Sequence, residues 1–112
     1  MAGQLKRGDL VVVSAAGDYG KPRPAVVIQS DLFNQSDSVL VVLLTGTLAD
    51  TPLFRLAIEP AFENGLKLPS QIMVDKIIAY PREKCGLVIG SLDQATLIAL
   101  NHMLAVMVGI AD

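Results

Sequence analysis

Tryptophan is missing from this 112-residue chain, cysteine and histidine occur once each, and the aromatic side chains amount to two tyrosines and three phenylalanines. The lone Cys85 cannot close an internal disulfide, and one thiol offers neither a cysteine framework nor paired metal-ligand spacing, which fits a reducing cytoplasm. The lone His102 excludes a two-histidine ribonuclease mechanism. An excess of positive charge is also absent: nine basic against eleven acidic residues give a net charge of −2. An anionic partner must then be held by a local cluster of cations. The longest apolar run, Met103 to Ala111, is shorter than the roughly 18 residues that a membrane span needs. Gly8-Asp9 interrupts the signal-like start Lys6-Arg7. The expectation is a cytoplasmic protein with no membrane partner and no cofactor.

What the chain does contain is 52% apolar residues with only 18% charged, enough for one core, so residues 1–112 read as a single domain. Short β-branched runs fill the first eighty residues or so: Leu10–Val13, Ala25–Gln29, Val39–Leu44, Phe54–Glu59 and Ile72–Tyr80, separated by Gly, Pro, Asn and Asp. Phe54–Glu59 alternates like a half-buried strand. Val39–Leu44 is apolar throughout and reads as a central strand buried on both faces. After Gly90, Ser91 with Gln94 three positions later resembles a capping box that opens a terminal helix. Leu97, Leu100, Leu104, Met107 and Val108 form its apolar stripe and Gly109 its C′ residue. The predicted class is mainly β with a C-terminal α-helix (α+β). The last turns of that helix are apolar on nearly every side, which calls for a second subunit or partner.

The stretch Gly17-Asp18-Tyr19-Gly20-Lys21-Pro22-Arg23-Pro24 holds the most chemical information. Each proline biases its predecessor toward extended backbone, so Arg23 is presented with little freedom. Taken alone, Arg23 reads as a solvated residue at a strand entrance. Topology changes that reading, because the strands at Ala25–Gln29 and Val39–Leu44 are close enough in sequence to pair antiparallel. If Ser30 pairs with Ser38, Arg23 falls opposite Thr45 on the same sheet face. A permanent cation beside a hydroxyl makes a phosphate clamp. Thr47 takes the place of Thr45 if the register differs.

Arg7-Gly8-Asp9-Leu10, Lys21-Pro22-Arg23-Pro24-Ala25-Val26-Val27-Ile28, Asp31-Leu32-Phe33-Asn34, a strand ending in Thr45, Asn64-Gly65-Leu66 with Pro69-Ser70, Val74-Asp75-Lys76-Ile77 and Gly90-Ser91-Leu92 follow one another in an order that resembles the MazF/PemK toxins. The resemblance implies a small bent antiparallel β-barrel of the CcdB/MazF toxin type, acting as a homodimer. It implies a metal-independent endoribonuclease of a type II toxin–antitoxin system, cutting single-stranded RNA through 2′-hydroxyl attack and neutralised by a cognate antitoxin. Carried over by position, Arg23 acts at the scissile phosphate, Thr45 assists, and Asp75 stands where some members carry a proposed base. Substrate contacts fall to Lys21, Tyr19, Lys76 and Ser70, with Arg82 and Lys84 as further cations for RNA.

Departures from the pattern leave choices open. Met73 stands where one subgroup has an arginine proposed as general acid, and Lys76 stands where many relatives have glutamine. Lys76 as a phosphate contact, Arg23 as the acid, and water as the acid are all compatible with the residues. Asp75 reads equally as a base or as an ordinary solvated or ion-paired residue. His102 reads as a helix-surface or packing residue, Cys85 as a structural or exposed thiol, and Arg7-Gly8-Asp9 as a chance match to the adhesion tripeptide. The alternatives to RNA cleavage are a CcdB-like gyrase poison, whose Trp-Gly-Ile ending this tryptophan-free chain lacks, and a catalytically silent interaction module.

Overall fold

The structure is a computed structural model that describes residues 4–14 and 21–112. Among these residues six strands, β1 (Asp9–Val13), β2 (Arg23–Val27), β3 (Ser38–Thr45), β4 (Arg55–Ile58), β5 (Ser70–Pro81) and β6 (Val88–Ser91), precede one α-helix, α1 (Gln94–Met107). They form one antiparallel sheet in the order β4-β5-β3-β2-β1-β6. The five strands read from the sequence are present. The sixth was missed because Val88-Ile89-Gly90-Ser91 is short and contains a glycine, the usual mark of a linker.

Side chains alternate between the two faces of a strand, and here both faces are apolar. Leu10, Val26, Val42, Leu44, Ile72 and Val74 pack on one face against Leu100 and Leu104 of α1. Val11, Val13, Ala25, Val27, Val41 and Leu43 pack on the other. This double burial is why Val41–Thr45 is buried without alternation. Among the described residues no α-helix covers the second face; the sheet curls over it instead. Tyr80 on β5 accepts a hydrogen bond from the Ser14 amide beyond β1 at 3.2 Å, although β3 and β2 lie between those strands. A flat sheet would hold these groups too far apart.

The helix begins later than the sequence suggests. Ser91 pairs with Asp9 as the last residue of β6, and its amide donates to Glu63 O, so strand pairing takes the predicted cap. Asp93 caps instead, its Oδ1 accepting from the Thr96 amide at 2.7 Å. At the other end Gly109 has φ +83°. The Gly109 amide donates to Val106 O and the Ile110 amide to Ala105 O, the paired bonds of a Schellman ending. Val108, predicted in the buried stripe, follows the last helical turn and is exposed, as are Val106 and Ile110. No helix among the described residues is long and apolar enough to cross a membrane.

Two family-like motifs turn out to be fold ties. The Arg7 amide donates to Asp31 Oδ1 at 2.8 Å, its Nε to Ile28 O at 2.8 Å and its Nη1 to Asn101 Oδ1 at 2.7 Å. One side chain thereby joins the end of β2 to α1, and Arg7-Gly8-Asp9 needs no adhesion role. Buried Asn64 accepts from the Ala61 and Leu66 amides through Oδ1 and donates to Glu59 O through Nδ2. That turn presses on β6 so closely that a Cβ at Gly90 would stand 2.4 Å from Glu63 O and 2.4 Å from the Asn64 carbonyl carbon.

Candidate active site

β2 and β3 pair as Ala25↔Leu43, Val26↔Val42 and Val27↔Val41. Continued two residues outward, this register sets Arg23 opposite Thr45, the juxtaposition read from the sequence. Both side chains share the face of Ala25, Val27, Val41 and Leu43, so they stand at the end of the inner apolar cluster. Arg23 is half-buried, with its Nε shielded from solvent. Pro24 holds its backbone extended, as Pro22 does for Lys21.

Thr45 is 7% exposed, and its Oγ1 accepts from the Thr47 amide at 3.0 Å. That bond occupies an acceptor position of the hydroxyl and leaves its hydrogen as the donor. Thr47 itself is exposed, and β3 ends before it. Of the two threonines, Thr45 alone lies in register with Arg23.

Across β3, Thr45 pairs with Gln71, and beyond it β4 pairs Arg55↔Met73 and Ala57↔Gln71. Arg55, Gln71, Met73, Thr45 and Arg23 therefore share one face. Gln71 Oε1 accepts from the Ala49 amide at 3.1 Å and from Arg55 Nη1 at 2.9 Å, while its Nε2 donates to Ala49 O at 3.0 Å. Arg55 Nη1 also donates to Thr47 O at 3.1 Å. The turn after Thr45 is thus fastened by two side chains that sequence reading passed over. The only trace of them was the alternation in Phe54–Glu59.

Asp75 and Lys76 lie where the β3–β5 register breaks, the β5 partners jumping from Ile72 to Ile77 between Leu44 and Val42. Lys76 Nζ donates to Asp75 Oδ2 at 2.7 Å, and both side chains are exposed. The hydrogen bond from Lys76 holds the Asp75 carboxyl below its ordinary value; burial opposes this, and the charge of Lys76 and, least of all, that of Arg55 lower it further. Lys21 is exposed two residues before β2. Ser70 is buried on the opposite face, in line with Ile72 and Val74, and its Oγ donates to Leu68 O at 2.9 Å. Tyr19 lies outside the described residues.

Other candidates carry structure. Arg82 donates to Ser36 O at 2.7 Å and to Phe33 O at 3.2 Å, spanning the loop between β2 and β3. Cys85 packs against the inner cluster, and burial pushes its thiol up, away from reactivity. His102 is exposed on α1, which packs on the face opposite Thr45. Among the described residues, no three of His, Cys, Asp and Glu gather as a group that could hold a metal ion.

Residues 6–108 match the profile of the PemK-like, MazF-like toxins of type II toxin–antitoxin systems. A probable endoribonuclease MazF of Mycolicibacterium smegmatis is 39% identical over 108 residues, covering 96% of this chain and 99% of that one. Among solved structures, an endoribonuclease in complex with its cognate antitoxin from a mycobacterial species superposes with TM-score 0.81 at 21% identity, over 96% of this chain and 98% of that one. A MazE–MazF structure from Deinococcus radiodurans superposes with TM-score 0.77 at 17% identity, over 97% of this chain and 100% of that one. The curled sheet with its terminal helix is the fold of these toxins, and with more than a third of its residues shared with a full-length relative, this chain belongs to the PemK/MazF toxin family.

Proposed function

We propose that the chain is a metal-independent endoribonuclease, the toxin of a toxin–antitoxin pair, cutting single-stranded RNA at the face that carries Arg23 and Thr45. The observation that supports this most is the β2–β3 register, which, continued two residues outward, sets a guanidinium opposite a hydroxyl that already accepts one hydrogen bond. In this reading Arg23 donates to the non-bridging oxygens of the scissile phosphate and Thr45 donates alongside it. The RNA 2′-oxygen attacks phosphorus, so an O2′–P bond forms as the P–O5′ bond breaks. Asp75, ionised at neutral pH, takes the 2′ proton. Water supplies the proton to the departing 5′ oxygen, because a guanidinium does not deprotonate near neutrality. The products are a 2′,3′-cyclic phosphate and a 5′-hydroxyl.

Fixed positive charge is worth most where negative charge develops in the transition state. Lys21 and Lys76 extend that charge along the RNA backbone, with Tyr19 as a stacking surface. Ser70, its hydroxyl committed to Leu68 O, supports the start of the strand that carries Gln71. The working form is a cytoplasmic homodimer, supported by the exposed apolar residues Val106, Val108 and Ile110 around the end of α1. Its antitoxin covers the cationic face with an acidic, partly disordered tail that folds on binding. Nothing observed favours gyrase poisoning, since the exposed helix end carries no indole.

Chelator-treated protein is incubated with a long defined RNA and the new ends are mapped. Cleavage with cyclic-phosphate ends is the expected result. Arg23→Ala keeps the circular dichroism spectrum and lowers the rate on the order of 100- to 1,000-fold. Equal rates for both proteins, or no cut by either, overturn the proposal.

A further inference from the structure

We infer that Arg55 is a second phosphate-contacting guanidinium of the same face, and that it acts on RNA as well as on the turn it fastens. This rests on the endoribonuclease reading above. In the sheet, Ala57, Gln71, Thr45 and Arg23 form one transverse row, the last step by the continued β2–β3 register. Arg55 stands two residues along β4 from that row, on the same face. Strand spacing separates β4 from β2 by roughly 14 Å along a flat sheet, and the curl brings them closer. Two arginine side chains reaching inward therefore approach the same ground. Arg55 does reach inward: its Nη1 bonds Gln71 Oε1 at 2.9 Å and Thr47 O at 3.1 Å, on either side of the turn that follows Thr45.

The partners of Arg55 identify the ligand it suits. Both acceptors are neutral carbonyl oxygens, and among the described residues the recorded ion pair is Lys76–Asp75, not one made by Arg55. Both bonds leave from Nη1, so Nη2 and Nε make no hydrogen bond to a described residue. A guanidinium oriented by neutral acceptors keeps its full charge and a free donor edge, the arrangement that suits a phosphate oxygen. Met73, directly opposite on β5, contributes no charge of its own. The charge of Arg55 is felt at Asp75, so the cation lies within electrostatic range of the proposed base. With Arg23 at one end of the row and Arg55 two residues beyond Ala57 at the other, the phosphate at Thr45 and its neighbour along the RNA each meet a cation.

The test compares wild type, Arg55→Gln, Arg55→Lys, Arg23→Ala and, as a remote charge control, Lys67→Gln. Glutamine keeps a donor for the turn and removes the charge. Cleavage of a defined RNA and the salt dependence of binding to its uncleavable 2′-deoxy analogue are measured, with Tm as the fold check. Arg55→Gln is expected to melt close to wild type, to cut about 100-fold more slowly, and to flatten the plot of log binding constant against log salt by about one contact. Arg55→Lys regains part of both losses, and Lys67→Gln changes neither. If Arg55→Gln cuts at the wild-type rate with an unchanged salt slope, the inference is wrong while the endoribonuclease reading stands. A drop in Tm and rate that Arg55→Lys does not restore, with the slope unchanged, means a purely structural arginine and also overturns it. If wild type cuts nothing, the endoribonuclease reading fails on its own, and the slope on the 2′-deoxy analogue still decides Arg55. Absence of any binding by wild type overturns both.

Discussion

At the scale of single residues, the site combines groups that differ in how firmly they are held. Thr45 is buried and bonded; Asp75 and Lys76 are exposed and hold each other. An exposed pair of this kind contributes little to stability, but it lowers the pKa of the carboxylate. Because the folded pKa of Asp75 is depressed, the favourable contribution of its ionised form is fully present above the ordinary carboxylate range. It is lost only as pH falls through the depressed value. Activity that uses Asp75 as a base should be flat from neutrality down to about pH 5, within the range where a carboxylate of ordinary or lowered pKa stays ionised. Lys76→Met removes the largest cause of the depression, so it should move the acid limb of the pH–rate profile upward. An acid limb that does not move in this variant argues for another base. Arg23 and Thr45 were legible in the sequence because the two prolines and two apolar runs fix extended backbone and register together. Gln71 and Arg55 were not, since their partnership spans two strands and leaves only an unremarkable alternation in the chain.

At the scale of elements, conflicts between local signals were resolved by pairing. Ser91 with Gln94 and Asp93 with Thr96 are both credible helix starts, two residues apart. Only the demand of β1 for a neighbour at Asp9 assigns Ser91 to a strand. The same competition hid β6, whose Gly90 looks like a break in sequence and is a close contact in space. Gly90→Ala should destabilise by about 1–3 kcal/mol or more, because the atoms it meets are backbone of the turn at Glu63-Asn64. Gly46→Ala meets nothing within 4 Å and serves as the neutral comparison. Urea unfolding of the two variants measures the difference; equal midpoints would show that the turn moves freely away from β6.

For the molecule as a whole, both sheet faces carry a core, but only one meets the helix. α1 and its apolar partners lie on one face, and Arg23, Thr45, Gln71 and Arg55 border the apolar cluster of the other, so the helix face can be weakened without touching the proposed site. Leu100, on the sheet-facing side of α1, is fully buried, and Leu100→Ala should lower stability by about 2–5 kcal/mol while the cleavage rate below the melting transition stays near wild type. Thermal melts and initial rates at low temperature check both halves of that statement. The turn bordering Thr45 is stitched down chiefly by Gln71, whose oxygen and nitrogen grip the N–H and C=O of Ala49, with Arg55 holding Thr47 O beside it. Such a stitch can be unpicked and resewn by changing one or two side chains. A change at Gln71 is then expected to reshape the loop beside Thr45 while the sheet beneath it stays as it is.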